Sequence, residues 1–323
     1  MTSLACTIAI AALLALPAVA QEMRSYEDAL GRIVDIPVDP QRIQSMYSGS
    51  VTPPLIELGA PLVGSQGTLA EDGTPYLRMV STVMKIDFDN SDIAFTHESA
   101  PDFEAIAALA PDLIIGLVSN DADHVDRLQQ IAPTVMLDDS QSGLELYRDI
   151  ADATGRIDEF EDLLVDYHAL VEDARGWLGD HSYTYSKLAA YGGDLHVYGN
   201  FGALTIALND LGFELIGDGV AMRARGSTWD GEVISAETLP DQDADFVFTT
   251  FRIDQGPQVG PVSTLDAFEE VLPGFCDLMT ACAEGRLIVL PLEHVALSFR
   301  TLDANIYYIV TNVAGRPGLA PPG

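Results

Sequence analysis

Apolar residues along the chain follow two rhythms. Short β-rich runs alternate with segments whose apolar positions recur every three or four residues, the period of a helix that faces a core. In the first half, Arg42–Met46, Leu62–Gly64, Leu113–Gly116 and Thr134–Leu137 read as strands. Helical patterns fall between them at Pro54–Leu58, Phe103–Leu109 and Asp121–Ile131. The second half repeats this grammar. Its strands are Lys187–Tyr191, His196–Tyr198, Phe246–Thr249 and Leu287–Leu290, and its helices are Ala203–Leu211, Ser235–Leu239, Leu265–Val271 and Leu302–Val313. Such alternation predicts two Rossmann-like α/β lobes with largely parallel sheets. In open sheets of this kind, ligands meet the residues that follow the strands' carboxyl ends.

The stretch between the halves differs. From Leu144 to Leu178 there is no proline. Leu146, Ile150, Ala153, Ile157, Phe160, Leu163, Leu164, Tyr167, Leu170, Val171, Ala174 and Trp177 recur at helical spacing, with Gly155 as the point that divides the run. This predicts a stiff helical connector at 144–178, between lobes at 21–143 and 179–323.

The first twenty residues form a separate unit. Ile8–Val19 is almost wholly apolar, and Ala18-Val19-Ala20 fits a signal-peptidase site, which predicts a cleaved signal peptide and a periplasmic protein. Cys6 precedes the apolar run instead of following it, which argues against a lipid anchor. The remaining pair, Cys276 and Cys282, closes a short loop. In an oxidising compartment a disulfide is favoured over two reduced thiols.

Charge narrows the partners. The chain has 49 acidic and 16 basic residues, so its net charge is 16 − 49 = −33. That excludes nucleic acid and anionic membrane surfaces as natural partners. Lysine occurs only at Lys85 and Lys187, against fourteen arginines. No nucleophile elbow, phosphate-binding glycine loop or Cys-x-x-Cys is present. His97-Glu98 begins like a zinc-hydrolase helix, but Pro101 stands where the second histidine belongs. The six histidines, at 97, 124, 168, 181, 196 and 294, show no close ligand spacing. An exported metalloenzyme or hydrolase and a surface scaffold are the rival classes, and neither has a motif. No resident cofactor or metal is expected.

The scarce cations mark candidate ligand positions. Arg223, Arg225 and Arg252 cluster in the second half, with Trp229 between them. Guanidinium groups grip carboxylates bidentately, and indole supplies a stackable wall. The competing reading pairs these arginines with surface carboxylates such as Glu232. In the first half, Tyr47 follows the first strand, and Tyr76 and Arg78 follow the second. His294 follows the last strand.

Several phrases are familiar. Tyr26-Glu-Asp-Ala-Leu-Gly-Arg-Ile-Val-Asp-Ile-Pro, Pro40-Gln-Arg-Ile and Phe103-Glu-Ala-Ile-Ala-Ala-Leu-Ala-Pro-Asp-Leu-Ile-Ile-Gly resemble the periplasmic substrate-binding proteins of iron-siderophore, haem and cobalamin ABC importers. Ile131-Ala-Pro-Thr-Val, Gly202–Gly212, Ile234-Ser-Ala-Glu-Thr-Leu and Asp243-Ala-Asp-Phe-Val-Phe continue the likeness in order. The resemblance implies two lobes joined by one long helix, with a small-molecule ferric chelate as ligand in the cleft between them. It also implies a monomer that delivers its ligand to a permease in the inner membrane. Glu104 stands where the family places a permease-docking carboxylate. In lobe two the matching place holds Asn209 or Asp210, and Asp210 is the chosen residue. An anionic ferric siderophore suits the arginines. Haem is the runner-up, with Tyr47, His97 or His294 on iron, and cobalamin is a further alternative.

Overall fold

A computed structural model describes residues 21–225, 231–253 and 259–314. The predicted signal segment, Trp229 and the last nine residues lie outside the described residues.

The chain opens with a hairpin, β1 (Met23–Glu27) and β2 (Ile33–Pro37). Then come β3 (Ile43–Ser45), α1 (Thr52–Glu57), β4 (Leu62–Gln66) and a small ribbon, β5 (Thr68–Leu69) with β6 (Pro75–Tyr76). Next are α2 (Arg78–Met84), β7 (Ala94–His97), α3 (Phe103–Ala108), β8 (Leu113–Leu117), α4 (Val118–Asp121), α5 (Val125–Leu128) and β9 (Thr134–Leu137). Strands β7-β4-β3-β8-β9 form one parallel sheet. Strand β9 is buried along its whole length although it stands at the sheet's edge. The hairpin turn covers that edge: Ala29 N donates to Met136 O at 2.9 Å, and the buried Asp28 accepts from Met136 N at 3.2 Å.

Two helices follow, α6 (Gly143–Ala153) and α7 (Ile157–Leu178). Ser142 and Glu145 make a capping box at the start of α6. The break falls at Gly155, as the composition suggests. Its φ is +69°, and a Cβ there would stand 2.4 Å from Val38 O. Gly155→Ala is therefore expected to destabilise. The backbone conformation alone costs roughly 1–3 kcal/mol, and the clash with Val38 adds to it. A thermal melt checks this, and an unchanged midpoint would contradict it. Helix α7 has 22 residues, or about 33 Å. Its buried face is Phe160, Tyr167, Val171, Ala174 and Leu178. Trp177, counted on that face by spacing, is instead 71% exposed, because Leu178 takes the inward position.

The second lobe contains β10 (Thr184–Tyr191), β11 (Asp194–Val197), α8 (Gly202–Asp210), β12 (Glu214–Leu215), α9 (Asp218–Ala224) and β13 (Glu232–Ile234). It continues with β14 (Phe246–Phe251), α10 (Pro261–Val271), α11 (Phe275–Leu278), α12 (Thr280–Ala283), β15 (Leu287–Pro291) and α13 (Phe299–Val313). The sheet order is β13-β11-β10-β14-β15, with β12 also on β10. Strands β12, β10, β14 and β15 pair in parallel, whereas β11 pairs antiparallel with both β10 and β13. Cys276 and Cys282 are bonded and join α11 to α12.

One apolar cluster runs through both lobes. Its centre is aromatic: Phe299 of α13 lies 5.0 Å from Tyr147 of α6, 5.7 Å from Phe160 and 5.9 Å from Tyr167 of α7, ring centre to ring centre. Glu57, at the end of α1 in lobe one, reaches this point. Its carboxylate accepts from Phe299 N at 2.6 Å, Arg300 N at 2.9 Å and Tyr147 Oη at 2.8 Å. A lobe-one side chain thus caps a lobe-two helix and supplies negative charge where the helix dipole favours it.

Candidate functional site

Lobe one holds a buried polar network at the carboxyl ends of β3 and β4. The hydroxyl of Thr52 bonds to Ser45 Oγ at 2.8 Å and Ser65 Oγ at 2.6 Å. Gln66 Oε1 accepts from Ser48 N at 2.9 Å and Ser48 Oγ at 2.6 Å, while Gln66 Nε2 donates to Glu98 O at 2.7 Å. These bonds fasten the loop after β3 to the ends of β4 and β7, with Tyr47 half-buried at its start. Gly49 leaves room for that ring, since a Cβ would stand 2.9 Å from Tyr47 Cε1.

Tyr76 closes the small ribbon, and Arg78 opens α2. Arg78 Nε and Nη2 each lie 3.4 Å from Tyr76 Oη. Helix α2 then packs against the turn Leu292–Val295, which follows β15 in lobe two. His294 sits in that turn. Asn305 Nδ2 donates to His294 O at 2.8 Å, so its Oδ1 is the acceptor facing His294 Nδ1 at 2.7 Å. This network assigns the proton to Nδ1 and leaves Nε2 with its lone pair. Burial pushes the imidazole pKa down, so the ring is neutral near pH 7.

Between α2 and this turn lies a recess of about 410 Å³, lined by Thr82, Val83, Pro291, Glu293, His294, Arg300 and Ala304. Arg252 is half-buried. Arg252 follows β14, whose last residue, Phe251, pairs with Pro291. Arg252 and His294 therefore leave adjacent strand ends, and the helix of Arg78 packs on the second of them. A second, smaller cavity of about 30 Å³ lies on the same boundary. It is lined by Ser50, Asp139 and Gln141 from lobe one and by Asn200, Gly202, Ile206 and Leu297 from lobe two. That space suffices for a water, and the buried Ser50 Oγ has no hydrogen-bond partner among the described residues.

The arginine cluster read from the sequence is not one pocket. Arg223 braces lobe two from within: its Nε donates to Gly199 O at 2.9 Å and its Nη2 to Tyr185 Oη at 2.7 Å. Arg225 makes an exposed ion pair with Glu232 at 2.6 Å, the competing surface reading. Of the three, Arg252 follows a strand whose last residue pairs with Pro291, which lines the recess. Glu104 is exposed in the first turn of α3, beside the capping Asp102. Asp210 is half-buried, and its Oδ2 accepts from Tyr167 Oη at 2.7 Å, which draws it toward the connector helix. Exposed Asn209 still accepts from Tyr185 Oη at 3.1 Å. His97 is buried with Nδ1 3.0 Å from Thr96 Oγ1, and burial lowers its pKa to about 4. The recess residues Thr82, Glu293 and Arg300 carry no motif. Their meeting depends on packing α2 against a turn far along the chain.

Comparison with known proteins follows the same line. The periplasmic binding protein family matches residues 55–291, and the chain belongs to that family. It is a binding protein and not an enzyme. Among curated relatives, the probable siderophore-binding lipoprotein YfiY of Bacillus subtilis is 29% identical over 242 residues, covering 73% of this chain and 71% of its own. The iron(3+)-hydroxamate-binding protein YxeB of the same organism is 29% identical over 268 residues, covering 77% and 72%. Among solved structures, Staphylococcus aureus SirA complexed with staphyloferrin B superposes with a TM-score of 0.72 at 21% identity, over 90% of this chain and 98% of that one. The two-lobed α/β fold predicted from the hydrophobic pattern is thus the observed one.

Proposed function

We propose that this protein captures an anionic ferric siderophore between its lobes and delivers it to the permease of an ABC importer. The observation that carries the reading is the cationic edge of the boundary recess. Arg300 lines it together with Glu293, Arg78 opens the helix that forms one wall, and Arg252 follows the strand whose last residue pairs with the lining residue Pro291, in a chain of net charge −33. Against that background the recess is the place where an anion gains most. Siderophore binding in the relatives' names supports the same ligand class. Capture is non-covalent. Tyr47 and Tyr76 provide aromatic walls, and Arg78 and Arg252 grip the chelate's oxygens. The protein acts as a monomer outside the cytoplasmic membrane, after removal of the segment 1–20. Among the described residues, no helix is long and apolar enough to cross a membrane. Glu104 is the proposed lobe-one contact with the permease. Asp210, whose second oxygen makes no bond among the described residues, is the lobe-two contact.

A thermal-shift panel of ferric tris-catecholate, ferric carboxylate and ferric hydroxamate complexes, haem and cobalamin tests this. A tight ligand raises the melting midpoint by mass action. A rise with ferric siderophores is expected, and a rise with haem alone would reverse the reading. Arg252→Ala should weaken the anionic complex about tenfold or more, the usual cost of a lost charge-assisted bond. Arg225→Ala should change it less than about twofold, because exposed ion pairs contribute little. Equal effects of the two substitutions, measured by titration, would contradict the proposed geometry.

A further inference from the structure

His294 stands in the wall of the boundary recess, and Asn305 of α13 decides which of its ring nitrogens can meet a ligand. Asn305 is fully buried. It holds the histidine at two points: its Nδ2 donates to His294 O at 2.8 Å, and its Oδ1 accepts from Nδ1 at 2.7 Å. An amide that spends its nitrogen on a carbonyl turns its oxygen to the ring, so the two bonds assign each other. Nδ1 keeps the proton, and Nε2 is a pure acceptor. Tyr308, one turn further along α13, braces the ring edge-on at 5.5 Å between centres and is itself tied to Val289 O at 2.6 Å. Among the described residues the bond to Asn305 is the ring's one hydrogen bond, so the Nε2 edge is left to the recess. Both carboxylate oxygens of Glu293, which shares this wall, are buried. Nε2 is therefore the acceptor that an incoming molecule reaches. At about 410 Å³ the recess has room for an arm of a chelate and not only for a water.

We propose that His294 is a specificity-determining residue of the capture site and that Asn305 positions it: Nε2 accepts a hydrogen bond from an amide N–H or alcohol O–H that the ferric chelate carries beside its charged oxygens. This rests on the reading of the recess as the seat of a ferric chelate, and it names a group that the ligand must bring. The metal-binding face of such a chelate offers only acceptors, its catecholate, carboxylate or hydroxamate oxygens. Those oxygens suit the Arg300 guanidinium, which lines the same recess. They are repelled by the lone pair of Nε2. A ligand without a donor leaves that nitrogen desolvated and unmatched, and binds about tenfold more weakly or worse. The clamp is what makes the selection strict. An unclamped imidazole can move its proton to Nε2 and donate to an anion. With Asn305 in place, that tautomer would set the Nδ1 lone pair against Oδ1, two acceptors at 2.7 Å.

Calorimetric titration of the whole protein tests this with two trianionic probes, the ferric tris-complexes of protocatechuic acid N-methylamide and of its N,N-dimethylamide. Their charge and metal-binding oxygens are the same, and only the first carries an N–H. The wild type should bind the N-methylamide complex about tenfold more tightly. His294→Phe keeps a ring but removes the acceptor, and should bring the two affinities within about twofold. Asn305→Asp sets a carboxylate against Nδ1 and favours the imidazolium, so Nε2 becomes a donor and the preference should vanish or reverse. Nitrogen NMR of histidine-labelled wild type needs no variant to fold. It should show the Nδ1–H tautomer, with an Nε2 resonance that moves on adding the gallium analogue of the N-methylamide complex and stays in place with the dimethylamide. An Nε2–H tautomer, or a preference that persists in His294→Phe, would overturn the proposal. Equal affinity of the wild type for both complexes would overturn it alone and leave capture standing, whereas binding of neither would defeat the capture reading along with it.

Discussion

Glu57→Ala is expected to lower stability by about 3–5 kcal/mol, through loss of hydrogen bonds to a charged group. The substitution removes three at once: the cap on Phe299 N and Arg300 N, and the partner of Tyr147 Oη. Tyr147 is fully buried, so its hydroxyl would be left without a protein partner. For a chain of this size the loss corresponds to a fall in melting midpoint on the order of 5–10 °C. Glu57→Gln keeps a neutral acceptor and should lose less than half as much. The effect reaches function because Glu57 is a lobe-one residue seated on a lobe-two helix. With the cap gone, α13 and the neighbouring turn that carries His294 lose a fixed reference to lobe one. Scanning calorimetry of the two variants checks the ranking. A Glu57→Ala midpoint within 1–2 °C of wild type, less than about 1 kcal/mol by the same conversion, would show that the contact does not hold the lobes together.

Lys187→Met should act in the opposite direction and raise stability. This lysine of β10 is 2% exposed, and burial lowers its folded-state pKa to about 7, below the unfolded value near 10.5. Between those values the unfolded chain binds a proton that the folded chain does not, so stability rises with pH across that window. Below about pH 7 both states carry the charge, and the folded state bears the whole penalty, about 4–5 kcal/mol at 1.36 kcal/mol per pH unit. The methionine variant removes that penalty, less the lost bond to Leu188 O and the contacts of Nζ with the rings of Tyr198 and Phe201. Its stability at pH 7 should exceed wild type by a few kcal/mol, and its slope from pH 7 to 9.5 should be flatter. Other shifted groups act outside this window. His97, lowered to about 4, reduces stability as pH falls from 6.5, and the contribution of Asp121, raised to about 6, is lost as pH rises from 3.8 to 6. Tyr147 and Tyr167, held above the ordinary phenol value by burial, contribute stability that is lost only as pH rises above 10. Denaturant melts of both proteins across pH 7–9.5 decide the matter, and parallel slopes would contradict the assignment.

The parallel strands were legible because they are buried on both faces and read as continuous apolar runs, as in Leu113–Leu117. The connector was legible from its 3.6-residue period, and its break from Gly155. Other elements left weaker marks. Strand β7 reads Ala-Phe-Thr-His and ends in polar residues buried against Gln44 and Ser65, so no apolar run announces it. Helix α2 is short, lacks a side-chain cap and owes its place to packing on the turn Leu292–Val295. That juxtaposition makes the recess, so its lining could not be read along the chain. The arginine cluster shows the same dependence on packing: Arg223 bonds Gly199 and Tyr185 inside lobe two, and Arg225 pairs with Glu232 on the surface, neither of which is visible from proximity in sequence. Trp177 shows the limit of periodicity, since one residue's rotation about α7 separates a core side chain from an exposed one.

The central claim is that the boundary between the lobes receives an anionic iron chelate. Isothermal titration of the wild-type protein with a ferric tris-catecholate, beside the same ligand without iron, tests it most directly. The account predicts one-to-one binding of the ferric complex, with affinity lost in Arg252→Ala and retained in Arg225→Ala. Absence of binding by every anionic ferric chelate, or affinity indifferent to Arg252, would contradict it.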